Sequence, residues 1–220
     1  MFFKNKYFFT VNNLIMANFM DLLQSQLTDG LLDQLSNKLG GADKQQTATA
    51  ASGVFSTIMG ALAKNASSQE GASSLSSALE NDHDGGVLDG FMDMLGGKAE
   101  PTNTRAMNGD GILSHILGEK QGGAIDMISK MSGLGGDKAG SLMSILAPMI
   151  MGTLGKAKKE QGMGVEDLTS FITGSVQNHQ EKGGKEMGMI GKFLDQDGDG
   201  SYMDDLAGMG MKMFGKFFRK

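Results

Sequence analysis

Asp195, Asp197, Asp199, Asp204 and Asp205 put five carboxylates into the eleven residues DQDGDGSYMDD, with no Lys or Arg between Lys192 and Lys212. Aspartates at alternate positions turn their carboxylates to one centre, and a following glycine allows the tight bend that wraps a hard, oxygen-seeking cation. The expected ligands are Asp195, Asp197, Asp199, Ser201, Asp204 and Asp205. The expected cation is Ca²⁺ rather than Mg²⁺, because several flexible carboxylates suit its larger shell. Counted as an EF-hand loop, Asp195, Asp197 and Asp199 take positions one, three and five, and Gly200 takes position six. Leu206 then stands where a bidentate acid closes the site, so affinity falls in the weaker range, about 10⁻⁵ to 10⁻³ M. The competing reading is a solvated acidic turn that caps the last helix.

No other constellation carries chemistry. His83, His115 and His179 fall in three separate segments. Without paired ligands each reads as a solvated or capping residue rather than a base or metal ligand. Gly210-x₄-Gly215-Lys216 imitates a phosphate loop, but Phe217 takes the Ser/Thr position and no strand precedes it. Gly133-Leu-Gly135-Gly136 is a helix stop. The chain reads as a non-enzyme with no catalytic residues.

The frame for these residues is a 220-residue chain, 40% hydrophobic and 20% charged, which suits a folded domain. Its 34 glycines with only two prolines read as helix ends and close helix contacts, about twice the usual glycine share. Nineteen methionines and no tryptophan point to a core filled by flexible thioethers. A net charge of −5 without a concentrated basic face argues against nucleic acid as a partner. The absence of Cys removes disulfides, thiolate metal sites and Cys nucleophiles, and leaves the compartment open.

At the N-terminus, Lys4 and Lys6 precede an apolar run that Asn12 and Asn13 interrupt, with no clear small-residue cleavage site. These are poor signal-peptide features, so translation is expected to start at Met16. The longest apolar run, Leu142–Leu154, is too short and too interrupted to span a bilayer. Cytoplasmic residence is the expectation.

Apolar residues recur at helical spacing almost throughout. Leu22 to Leu39 forms one ladder ended by Gly40-Gly41, and Ala48–Ala63 carries Val54, Phe55, Ile58, Met59 and Leu62 on one face. Ser67-Ser-Gln-Glu70 reads as a capping box. Short helices are predicted at Val87–Leu95, Ile112–Leu117 and Ala124–Met131. Longer ones follow at Lys138–Lys158, which Pro148 is expected to kink, and at Val165–Asn178; Glu186–Leu194 and a final helix from Tyr202 complete the series. The class is all-α, a multihelical bundle of short Gly-capped helices. An N-terminal extension (1–18) precedes a helical lobe at 19–97. A linker at 98–108 leads to a second lobe at 109–182, and 183–220 holds the acidic loop and an amphipathic helix.

A weak repeat runs through the pattern. Asp82-His-Asp84-Gly-Gly-Val-Leu-Asp89-Gly-Phe91 aligns with Asp197-Gly-Asp199-Gly-Ser-Tyr-Met-Asp204-Asp-Leu206, and Asn108-Gly-Asp110-Gly-Ile-Leu-Ser-His115-Ile116 is a shorter copy. Each is a polar Asp-Gly turn leading into an apolar helix, a signal that needs no ligand. Together with GSLMSILAPMIMGTLG at Gly140–Gly155, the Asp-His-Asp-Gly turn and NGDGILSHILG resemble the YidB-like bacterial proteins over roughly Met20–Ser175. That resemblance implies a multihelical fold and no established activity. The terminal DxDGDG element resembles EF-hand and dockerin loops.

The last segment places Leu206, Met209, Met213, Phe214, Phe217 and Phe218 on an apolar stripe, with Lys212, Lys216, Arg219 and Lys220 around it. Packing against the protein's own core is the favoured use, and contact with an anionic membrane surface the lesser one. The functional expectation is a non-enzymatic, partner-binding helical protein with a Ca²⁺-binding terminal loop. The alternative is a purely structural or self-associating helical protein with no metal site.

Overall fold

The computed structural model describes residues 19–98, 100 and 104–182. All of the described secondary structure is helical. The protein is all-α, as its apolar periodicity predicts.

Two long helices form the spine: α3 (Lys44–Ala66) and α8 (Gly136–Gln161). Both are buried over most of their length, because small residues alternate with large ones. Ala50, Ala51, Gly53 and Gly60 let neighbours approach α3 where Phe55, Ile58, Met59 and Leu62 fill the space between helices. Around the spine lie α1 (Phe19–Ser25), α2 (Asp29–Lys38), α4 (Gln69–Asn81), α5 (Phe91–Leu95), α6 (Gly109–Leu117), α7 (Gln121–Ser132) and α9 (Val165–Lys182). One hydrophobic cluster runs from Phe19 to Val176 and draws on residues from both sides of segment 98–108. Phe19 of α1 meets Phe171 of α9 edge to face, ring centroids 5.1 Å apart.

Local chemistry shifts several boundaries. The leucine ladder predicted as one run is two helices, because Thr28 leaves helical geometry at ψ 160° and its side chain accepts the Leu31 N–H. The cap predicted at Ser67 falls one residue later, where Ser68 Oγ accepts from Gly71 N at 3.1 Å; Ser67 instead donates to the Lys64 carbonyl. Val87–Leu95 divides into a 3₁₀ turn, Gly86–Leu88, and α5. Gly40 and Gly41, at φ 70° and 73°, end α2 as predicted, and their N–H groups bond the Asn37 and Ser36 carbonyls.

Both described copies of the repeat turn dock on α8. In the first, Gly155 of α8 lies so close to the His83 carbonyl that a Cβ would collide with it, and Gly152 faces Val87 and Leu88. Gly85, at φ 103°, sits against Lys156. In the second, Pro148 has no N–H to give the Ser144 carbonyl four residues earlier, and α8 continues through it. Gly109 packs directly over that carbonyl, where any side chain would clash, and the Ser144 hydroxyl donates to Asp110.

Candidate functional site

Between α4 and α6 runs a groove of ≈ 790 Å³. At one end Asn65 Nδ2 donates to the Ile116 carbonyl at 3.0 Å, and at the other Arg105 pairs with Asp82 at 3.5 Å. The start of α4 therefore lies by the end of α6, and the two helices run in opposite senses along the walls. Leu62 of α3 and Met151 of α8 also line it, with Leu75 and Ala78 of α4 and Ile112 and Ile116 of α6. Ile112 and Ile116, each 9% exposed, and Leu75, 8% exposed, are among the least covered members of the core, most of which is sealed below 5%. The groove is where the core reaches the surface.

Its charges cancel. Lys64 and Arg105 stand against Glu70 and Asp82, so no field of one sign selects an anion or a cation. His83 and His115, remote in sequence, line the same groove. His115 is exposed on α6, whereas His83 is 6% exposed and its Nδ1 has no hydrogen-bond partner among the described residues. Of the two uses expected for His83, solvated or capping, the solvated one is corrected: its ring is buried in the docked turn. Burial, with Arg105 adding to it, holds its pKa below the ordinary histidine value against the opposing pull of Asp82. The groove hydroxyls nearest the start of α4 are already used, Ser67 on the Lys64 carbonyl at 2.5 Å and Ser68 on the Gly71 N–H. Neither is paired with a histidine in the manner of an activated nucleophile.

Asp82 and Asp84 of the first repeat copy are engaged within the fold. Asp84 accepts from Gly86 N at 3.1 Å and from Lys159 Nζ at 3.0 Å, which holds its carboxyl below the usual range, the lysine contributing most. Asn108 caps α6 by accepting from Gly111 N at 3.0 Å. Among the described residues no three His, Asp or Glu side chains gather to share a metal ion. The six expected Ca²⁺ ligands, Asp195, Asp197, Asp199, Ser201, Asp204 and Asp205, lie outside the described residues. So do Glu186–Leu194, the stripe from Leu206 to Phe218, and the extension before Phe19. His179, the third histidine, sits with Nε2 3.5 Å from Ser56 Oγ of α3.

The groove escapes sequence reasoning because its walls come from segments about forty residues apart. The available signal was the resemblance between the two Asp-Gly turns that flank it. Among the described residues no helix is long and apolar enough to cross a membrane. No curated protein and no solved structure matches the chain. The sequence profile of DUF937, bacterial protein of unknown function, matches residues 21–157, well over half of the chain, and the protein belongs to that family.

Proposed function

We propose that this chain is a non-enzymatic helical binding module that seats the apolar face of an amphipathic helix in the α4–α6 groove, with a terminal loop that binds Ca²⁺. The observation that carries the docking reading is the groove itself. Two antiparallel helices leave a channel floored by Leu62 and Met151, edged by Leu75, Ile112 and Ile116, and balanced in charge at the rim. Helix-in-groove recognition uses this combination of apolar floor and polar edges. A neutral rim favours an apolar anchor over a phosphate backbone.

The test uses rim positions that the core does not need. Ser74 and His115 line the groove and are exposed. A full-length Ser74→Arg, His115→Glu variant is expected to keep its circular dichroism melting curve and to lose the proteins retained by the wild type from the source bacterium. Retention of the same set by both forms would sink the reading of the groove as a seat for another protein's helix.

Support for the Ca²⁺ reading is the carboxylate spacing from Asp195 to Asp205. Melting temperature is expected to rise with Ca²⁺, by about 2.7 kcal/mol of stability at a hundredfold excess over Kd. Asp195→Asn with Asp197→Asn and Asp199→Asn should abolish the rise, while Asp82→Asn with Asp84→Asn should leave it. Indifference to millimolar Ca²⁺ would leave only an acidic turn.

A further inference from the structure

We infer that the occupant of the α4–α6 groove is this chain's own C-terminal segment, with the stripe Leu206, Met209, Met213 and Phe217 laid along Leu75, Ile112 and Ile116. The inference rests on the reading of the groove as a helix seat and names what fills it. Three observations carry it.

The first is the repeat. Its two described copies, at Asp82 and Asn108, border this same groove, and each presses its turn against α8. The third copy, Asp197–Leu206, leads directly into an apolar stripe at helical spacing.

Reach is the second. α9 runs to Lys182, and near its end His179 touches Ser56 of α3, six residues before Leu62 in the groove floor. At the rise of an α-helix that is about 9 Å along the spine. The residues between Lys182 and Leu206 span up to about 80 Å when extended, so the tether reaches with slack.

Chemistry is the third. The groove has an apolar floor and a rim on which Glu70 and Asp82 balance Lys64 and Arg105, and the segment offers an apolar stripe that suits that floor. Methionine and phenylalanine suit an irregular groove because thioethers adapt their shape and rings bury large areas. A tethered segment also binds at a high effective concentration, so modest complementarity suffices.

The chain has no cysteine, so introduced thiols are the only ones present. In the full chain, Ser74→Cys with Met213→Cys is expected to form a disulfide under mild oxidation, at monomer mass and independently of concentration. Leu22→Cys with Met213→Cys is the control, because exposed Leu22 of α1 does not line the groove. The groove pair should exceed the control several-fold, and adding Phe214→Asp and Phe217→Asp should bring it down to control yield. Equal yields, an unchanged yield in the aspartate variant, or a product only at dimer mass would each overturn the inference. If cross-linking fails while Ser74→Arg, His115→Glu still abolishes retention of partners, the groove remains a helix seat and only its occupant is wrong.

Discussion

His83 is the residue with the most at stake in its protonation. Its ring is buried in the docked turn, with Nδ1 unpaired among the described residues. Charging the imidazole would place a second N–H donor where nothing accepts it, at a cost of about 1–3 kcal/mol for the orphaned donor. Burial therefore lowers its pKa in the folded state from 6.5. A base with a depressed folded pKa binds fewer protons folded than unfolded. Its stabilising contribution is complete above the unfolded value and is lost as pH falls below about 6.5. The slope for one proton reaches at most about 1.4 kcal/mol per pH unit. Thermal melts from pH 7.5 to 5 should show this decline in wild type and a flatter profile in His83→Gln. An equal slope in the variant would assign the effect elsewhere. Glu80 and Asp84 add to the loss at lower pH. Lys158 and Lys159 hold their carboxyls below 4.5 and 3.8, so stability present above those values disappears as pH falls through the folded ones.

At the scale of elements, α8 is the platform on which both described turns stand, and its small residues set how closely they approach. Alanine at Gly155 is the better helix former by about 1 kcal/mol. Its methyl group, however, would collide with the His83 carbonyl, a backbone atom that cannot swing away. Overpacking against backbone costs about 3 kcal/mol, so the steric term wins. Gly155→Ala is expected to lower stability by about 2 kcal/mol or more, and Gly122→Ala of α7, with nothing within 4 Å of the added carbon, to leave it unchanged or slightly higher. Chemical denaturation of the two variants decides it, and a stable Gly155→Ala protein would mean that the turn does not sit this close. The NGDG and DHDGG sequences thereby gain a physical reading in this chain: a capping residue, a glycine that admits the neighbouring backbone or turns the chain, and an acid that ties the turn down. Their role as Asp-Gly turns opening helices was legible in the sequence, since Asn108 and Asp84 do cap backbone N–H groups. Their docking was not, because the matching features, Gly155 and the carbonyl freed by Pro148, lie roughly forty to seventy residues away on α8. Helix ends were misplaced where adjacent residues compete for one cap, as Ser67 and Ser68 do.

For the molecule as a whole, periodicity identified nearly every helix because each buries one face, but the order of assembly is a tertiary matter. α3 and α8 lie on opposite sides of segment 98–108 in sequence and pack together at the centre, so neither half owns a complete core. Val54, Phe55, Ile58 and Leu62 of α3 and Leu142, Leu146, Ile150 and Leu154 of α8 are all at or below 1% exposure within one cluster. Separating the halves would return that surface to water at about 25 cal/mol for each Å², far more than the entropy a detached half regains at a single hinge. Unfolding is therefore expected to be one transition for the shared core. Circular dichroism at 222 nm and calorimetry should give coincident midpoints, with the calorimetric enthalpy equal to the van't Hoff value. Leu142→Ala, which opens a cavity in the shared core, should shift the whole transition by about 2–5 kcal/mol and leave it single. Two resolved transitions, with only the later one moved by Leu142→Ala, would show that the halves on either side of 98–108 stand independently.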